Sequence, residues 1–146
     1  MIKKLIIGID FDGTCCCHNF PEIGKDIGAV PVLKRLVENG HRLILFTMRS
    51  IKPSEWNVVE GGYDVVSGWD NLTPAIQWFK DNNIPLYGVN NNPEQSKWSI
   101  SPKPYCHLYI DDTALGSPLK YDGFMSNRPF VDWNKAEIML EELGLI

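Results

Sequence analysis

The chain has 146 residues, of which 44% are hydrophobic and 22% charged, and its formal net charge is -4 at pH 7. This composition is typical of a globular protein and excludes a disordered chain, and the length suits one domain, so we assign residues 1–146 to a single domain. The lysines and arginines are scattered in an acidic chain, which disfavours duplex nucleic acid as a partner because phosphate neutralisation is the main source of that affinity.

The amino-terminal segment is predicted to hold the first strand. Its apolar run, residues 5–9, ends at Asp10 and is too short for a signal peptide or a membrane span, and no other stretch approaches about 18 apolar residues. We therefore expect a cytoplasmic protein with no membrane partner. Apolar residues at consecutive positions here and in residues 42–47 indicate strands that are covered on both faces, as in a parallel sheet.

Helical segments alternate with the predicted strands. Residues 30–40 carry a proline in the first turn, turn one apolar face inward through Val30, Leu33 and Val37, and end at an Asn-Gly pair, which are helix start and stop signals. Residues 71–83 repeat the pattern, with Thr73 as the expected N-cap. The remaining predicted elements are strands at 85–89 and 107–110 and a helix at 133–143. This order predicts an α/β fold, namely a three-layer, Rossmann-like, doubly wound and mainly parallel sheet.

Acidic residues follow two of the predicted strands. Asp10 and Asp12 come after the first strand, and Asp111 and Asp112 come after the fourth. Because the carboxyl ends of parallel strands meet at one edge, we expect these side chains to converge. Two carboxylates about 4 Å apart repel by roughly 4 kcal/mol at an effective dielectric constant near 20. A cation relieves that repulsion, and an all-oxygen ligand set favours Mg²⁺.

The same strand ends suit phosphoryl transfer. Asp10 is placed to attack phosphorus and form an aspartyl phosphate, and Asp12 is placed to act as general acid and base. The glycine at position 13 lets the backbone pass close to a phosphate, and the amides of Phe11 to Gly13 can donate to its oxygens. Thr47, at the end of the second strand, offers a hydroxyl to the same phosphate.

Three motifs resemble those of the haloacid dehalogenase superfamily. IGIDFDGT resembles its first motif, LILFTMR its second and LYIDD its acidic fourth motif. The resemblance implies that Asp10 is the nucleophile, that Asp12 is the acid/base whose main-chain carbonyl also touches the metal, and that Thr47 binds phosphate. It further implies that Asp111 is a magnesium ligand, with Asp112 beside it. The second aspartate of the first motif implies a phosphatase instead of a dehalogenase.

The third motif of that superfamily is a lysine. Lys103, in SPKPY, is the preferred candidate, and Lys97, in EQSKW, is the rival. The intervals between the motifs are too short for the cap domain that many members carry, so the chain resembles a capless member. We expect an open site, screened by the loops at residues 15–29 and 50–68 or by a partner subunit in a homo-oligomer. Such a site suits a phosphorylated small molecule or an exposed phosphoester of a larger one.

Other residues near the motifs have two interpretations each. Arg49, two residues after Thr47, either contacts the substrate phosphate or is a surface arginine. Arg128 and Trp133 either close over the edge of the site or, as we expect, pack the carboxyl-terminal tail. The run Cys15-Cys16-Cys17-His18 with Cys106-His107 suggests zinc, but the two groups fall at opposite ends of the sheet. We therefore expect structural thiols, with a redox-sensitive thiol beside the nucleophile as the alternative.

The leading functional hypothesis is a magnesium-dependent phosphomonoesterase. A receiver-like phospho-accepting switch is the first alternative, although its phosphoacceptor lies on the third strand and its threonine on the fourth. A catalytically silent phosphate-binding module is the second.

Overall fold

The structure is a computed structural model that describes residues 3–146. The elements within this range, in chain order, are β1 (Ile6–Ile9), α1 (Ala29–Glu38), β2 (Arg42–Leu45), β3 (Ile51–Lys52), β4 (Glu55–Val59), β5 (Gly62–Val66), β6 (Trp69–Asp70), α2 (Thr73–Asp81), β7 (Gly88–Val89), a short 3-10 helix (Gln95–Lys97), β8 (Leu108–Ile110), β9 (Leu119–Lys120), β10 (Phe130–Val131) and α3 (Trp133–Glu142). None of the helices in this range combines the length and the apolar character needed to cross a membrane.

A parallel sheet of β7, β2, β1 and β8, in that order, lies at the centre of the fold. The apolar side chains of β1 and β2 are buried on both faces, as the sequence predicts for parallel strands. The mixed α/β class and the central parallel sheet are therefore confirmed. Because all four strands point the same way, their carboxyl ends share one edge of the sheet.

The helices close the core with aromatic and aliphatic side chains. Phe11, directly beyond β1, packs edge-on against Trp78 of α2 with 5.7 Å between ring centroids. In α1 the fully buried side chains include Val32 and Leu36, whereas Val30 and Val37 are only half-buried. Leu33, also predicted to face inward, is fully buried, and Val30 and Val37 pack against the core, so the predicted face is confirmed and the buried face extends beyond it to Val32 and Leu36.

The start of α2 differs from the prediction. Leu72, not Thr73, is the N-cap residue, and its side chain makes no capping bond. Asp70 accepts the amide hydrogens of Leu72 and Thr73 at 3.1 and 2.9 Å instead. Hydrogen bonds, first of all from the Thr73 side chain, hold the pKa of Asp70 below its usual value. An aspartate before the first turn has replaced the threonine as the cap.

Residues 50–68, predicted to be a loop, contain paired strands. β3 pairs with β6 and β4 pairs with β5, both antiparallel, around a two-residue turn in which Gly61 has φ 89. Trp56 faces Val65 and Val58 faces Tyr63 on one surface of the hairpin, which is exposed throughout. The alternation of large apolar residues around Glu60-Gly61 was the sequence signal for this hairpin.

Candidate active site

The carboxylates that follow β1 and β8 meet in one crevice. Asp10 follows β1, and its amide donates to the carbonyl oxygen of Ile110 at 3.0 Å, which joins the ends of the two strands. One oxygen from each of Asp10, Asp111 and Asp112 lies within 4.8 Å of the other two. These three residues, with Asp12, Thr47 and Arg49, line what we call the acidic crevice, which has a volume of 400 Å³.

The surroundings of Asp10 in the acidic crevice disfavour its ionised form. Burial, the charge of Asp111 and a hydrogen bond shared with Asp112 raise the pKa of Asp10 to about 8, against a bond from Thr14 that lowers it. The donors are all hard oxygen atoms, and a divalent cation among them would remove the repulsion. The ligand set therefore fits Mg²⁺, with Asp10, Asp111 and Asp112 as the side chains that would hold it.

Thr14 connects the two halves of the acidic crevice. Its hydroxyl donates to Oδ2 of Asp10 at 3.0 Å and accepts the amide hydrogen of Asp112 at 3.1 Å. The side chain is fully buried. No role was predicted for Thr14, although it lies inside the Asp-Gly-Thr motif, and that motif is the sequence signal for its position.

Gly13 is required for close packing of the loop after β1. Its φ is 79, and a Cβ there would approach Nε2 of His18 to 2.3 Å and Oδ2 of Asp112 to 2.6 Å. Nε2 of His18 lies 3.0 Å from that same oxygen of Asp112 and 3.1 Å from the Pro129 carbonyl. Because both neighbours are acceptors, Nε2 is the protonated nitrogen of this ring.

Arg49 is an internal residue and not a surface arginine. Its guanidinium makes a bidentate ion pair with Asp12, in which both N···O distances are 2.8 Å. The remaining hydrogens go to the carbonyls of Pro21, Glu22 and Asn71 at 2.8 to 2.9 Å. An arginine has five N–H donors, and these contacts use all of them.

The predicted phosphate-binding residues fall into two groups. Thr47 lines the acidic crevice, and its hydroxyl accepts the Arg49 amide at 3.1 Å, which leaves the hydroxyl hydrogen available to a ligand. The amide of Gly13 instead donates to the Cys16 carbonyl at 2.8 Å, and Phe11 contributes a buried ring to the core. Phe11, Gly13 and Arg49 therefore each have a structural role already. Their binding of phosphate stays a prediction.

The two candidate lysines lie outside the residues that line the acidic crevice. Nζ of Lys103 lies 5.1 Å from the ring centroid of Tyr109, and Lys97 is an exposed residue at the end of the 3-10 helix. The choice between them stays a prediction.

Five residues that line the acidic crevice received no firm role from the sequence: His18, Phe20, Met48, Thr113 and Arg128. Arg128 comes from the turn between β9 and β10, and that ribbon is fixed to the loop after β1 by a bond from the Val131 amide to the Gly13 carbonyl, at 2.9 Å. The indole of Trp133 donates to the Thr14 carbonyl at 2.7 Å. The prediction that both residues pack the carboxyl-terminal tail is therefore correct for Trp133 and wrong for Arg128. The contact that brings the β9–β10 ribbon to the loop after β1 joins distant segments, and no local sequence pattern encodes it.

The cysteine run is structural. Cys15, Cys16 and Cys17 are buried, and burial raises the pKa of the Cys16 thiol to about 12. Sγ of Cys17 accepts the Lys25 amide at 3.0 Å. Within residues 3–146 no cluster of three potential ligands includes a cysteine, so the described chain offers no zinc site there.

Comparison with known proteins supports the fold and gives no information on the chemistry of the site. No family model matches the chain, and no curated protein sequence matches it. Among solved structures, the chain is similar to a conserved protein from Bacteroides thetaiotaomicron, with 29% identity over 96% of this chain and 92% of that one, and a TM-score of 0.68. The description of that protein names no ligand or activity, so the likeness supports the arrangement of the chain alone.

Proposed function

We propose that the chain is a magnesium-dependent phosphomonoesterase and a capless member of the haloacid dehalogenase superfamily, with the three-layer, Rossmann-like sheet of that class. The observation that carries the proposal is the convergence of Asp10, Asp111 and Asp112 within 4.8 Å at the carboxyl ends of two adjacent parallel strands. A folded chain tolerates such a cluster when a cation and an anionic substrate occupy it.

The reaction proceeds in two displacements. A carboxylate oxygen of Asp10 attacks the phosphorus of the ester, the bond to the leaving oxygen breaks, and Asp12 supplies the proton that this oxygen takes up. Asp12 then accepts a proton from water as the water oxygen attacks the phosphorus of the aspartyl phosphate, which frees Asp10 and phosphate. The magnesium ion, when bound, neutralises charge on the carboxylates and the phosphoryl oxygens.

The surrounding residues prepare these steps. Thr14 holds Oδ2 of Asp10 in place, so the other oxygen is the one free to attack. The hydroxyl of Thr47 donates to a phosphoryl oxygen. Both oxygens of Asp12 are bound to Arg49, so Asp12 must turn one of them toward the leaving group in order to act as an acid.

The test is release of phosphate from p-nitrophenyl phosphate. We expect multiple turnovers that need Mg²⁺ and stop with EDTA, and a loss of at least about a thousandfold in Asp10→Asn. Asp81→Asn, at the exposed end of α2, is the matched control and should match the parent.

Two results would favour the alternatives. One equivalent of stable aspartyl phosphate without turnover would indicate a receiver-like switch, and phosphate binding without either product would indicate a silent binding module.

A further inference from the structure

Arg128 is the arginine of the acidic crevice that remains available to a ligand. Arg49 uses its five donors on internal acceptors. The guanidinium of Arg128 is exposed and, among residues 3–146, has no side-chain hydrogen bond or ion pair. Arg128 thus lines a cavity with four aspartates and pairs with none of them, which leaves it positioned for an anion that enters from solvent.

A second cavity adjoins the acidic crevice. It has a volume of 560 Å³ and shares three lining residues, His18, Phe20 and Arg128, with the crevice, so the two cavities lie side by side. The far wall is the turn that precedes β10, including Phe124 and Asn127. We call this second cavity the side pocket. A molecule whose phosphate reaches Asp10 can extend into it.

The side pocket presents two aromatic rings to solvent. Phe20 is 57% exposed and Phe124 is 97% exposed. The guanidinium of Arg49 lies 5.2 Å from the Phe20 ring centroid, which supports one face of the ring and leaves the rest open. The Phe124 amide is held by Oδ1 of Asp122 at 3.0 Å, which fixes the turn that carries the ring. The Phe20 ring, supported by Arg49, and the exposed Phe124 ring offer faces on which planar groups can stack.

The polar residues of the side pocket suit a heterocycle better than a hydrocarbon ring. Asn19 and Asn127 stand beside the aromatic rings, and an amide offers both donors and an acceptor to ring nitrogens and exocyclic groups. Stacking surface, amide side chains and an arginine at the phosphate end together describe a site for a base, a linker and a phosphate.

We propose that the side pocket binds the leaving group of the substrate, and that the substrate is a phosphomonoester whose leaving group carries a planar aromatic ring, of which a nucleoside 5′-monophosphate, which releases the nucleoside, is the best fit. Arg128 contacts the phosphate, while Phe20 and Phe124 stack against the ring. This inference rests on the proposed function for the reaction, but the binding it describes can be measured without turnover.

The binding experiment compares AMP with ribose 5-phosphate, which has the same phosphate and sugar but no base. Calorimetry is carried out on the Asp10→Asn variant in Mg²⁺, where turnover does not interfere. We expect AMP to bind about 10- to 100-fold more tightly, because stacking of a base on aromatic rings is worth that much. p-Nitrophenyl phosphate, which has a ring but no ring nitrogen or ribose, should fall between them.

Variants in the same background locate the effect. Phe20→Leu should reduce the ratio of AMP to ribose 5-phosphate affinity to about threefold or less, and Phe124→Leu should reduce it in the same direction. Trp98→Leu is the matched control, since this exposed ring lies outside both cavities and its removal should leave the ratio unchanged. Arg128→Met should weaken both ligands about tenfold and Arg128→Lys less, whereas Arg42→Met, an exposed arginine stacked on Tyr87, should weaken neither.

The outcomes separate this inference from the proposed function. Equal affinity for AMP and ribose 5-phosphate, or a ratio that survives Phe20→Leu, overturns the inference even if the protein releases phosphate. Base-dependent binding by a protein that never turns over supports the inference and contradicts the phosphatase. Binding of neither ligand overturns the inference.

Discussion

The titratable side chains at the two ends of β1 have opposite environments. Those at the amino end are hydrogen-bonded to backbone groups, and those at the carboxyl end face like charges. At the amino end, Nδ1 of His41 accepts the Leu5 amide at 3.0 Å, and its Nε2 donates to the Leu145 carbonyl at 2.9 Å. His107 accepts the Ile6 amide at 2.9 Å in the same manner. At the carboxyl end, Asp10 faces Asp111 and Asp112, and its pKa is raised to about 8.

The difference shows which end is organised for stability and which for a ligand. The ring nitrogens of these histidines form hydrogen bonds with backbone groups that folding removes from water. The histidines therefore contribute to the stability of the fold. The aspartates gather like charges in a partly buried place, and folding alone does not require that arrangement. This contrast can be tested by the change in the free energy of unfolding that substitutions at each end produce.

The largest stability effect is expected at Arg49, which forms an ion pair with Asp12 near the carboxyl end of β1. Arg49→Met should lower the free energy of unfolding by about 4 kcal/mol, because it leaves Asp12 and three carbonyl oxygens without their partner. Arg49→Lys should lose less, since one charge remains. Urea denaturation measures both, with Arg42→Met as the control, for which we expect below about 1 kcal/mol. A loss in Arg49→Met no larger than in the control would show that the network contributes nothing.

The second prediction concerns pH. The pKa of Asp10 is raised from 3.8 to about 8 in the folded protein, so between those values the folded state keeps a proton that the unfolded chain has released. The free energy of unfolding of the metal-free protein should therefore fall as the pH rises from about 4 to 8. Asp10→Asn should remove this dependence and be more stable than the parent at pH 8, because the amide carries no charge at any pH in this range.

The matched variant for this pH series is Asp81→Asn, which should keep the slope of the parent. If Asp10→Asn is less stable than the parent at pH 8 in the absence of metal, then Asp10 is not under electrostatic strain.

The third prediction concerns the amino end. His41→Ala should lower the free energy of unfolding by about 2 kcal/mol, because it unpairs the Leu5 amide and removes one of the two donors to the Leu145 carbonyl, which keeps Nδ2 of Asn39 at 2.9 Å. His107→Ala, which removes one bond at an exposed ring, should cost about 1 kcal/mol or less. Phosphatase activity per folded molecule should not change in either, and a selective loss of kcat would contradict the separation of the two ends.

The smallest effect is expected at the thiols next to the acidic crevice. Burial raises the pKa of Cys15 and Cys16, so thiolate is scarce and access is poor. Iodoacetamide should leave residues 15–17 unmodified in the native protein and react with them in urea, as read by mass spectrometry of peptides. Rapid native modification of Cys15 or Cys16 would restore the redox-sensitive alternative.

The sheet and the acidic cluster could be predicted from sequence for a simple reason. Consecutive apolar residues identify strands such as β1 and β2, and parallel strands bring their carboxyl ends to one edge, so the sequence alone predicts that Asp10 and Asp111 lie together. Local pattern plus one topological rule were sufficient.

The remaining features depend on contacts between distant segments. The acceptors of Arg49 are carbonyls at positions 21, 22 and 71, and backbone carbonyls carry no sequence signature. Arg128 reaches the acidic crevice because Phe130 pairs with Lys120 and Val131 binds Gly13. The hairpin of β4 and β5, by contrast, has a local signal, since large apolar residues alternate on both sides of Glu60-Gly61.

The most direct test of the central claim is the effect of Mg²⁺ on the free energy of unfolding at pH 7.5. If Asp10, Asp111 and Asp112 form one cation site, saturating Mg²⁺ should stabilise the parent by about 2.7 kcal/mol at a hundred times its Kd, and should stabilise Asp111→Asn much less. Equal stabilisation of the two proteins, or none in the parent at millimolar Mg²⁺, would contradict the claim.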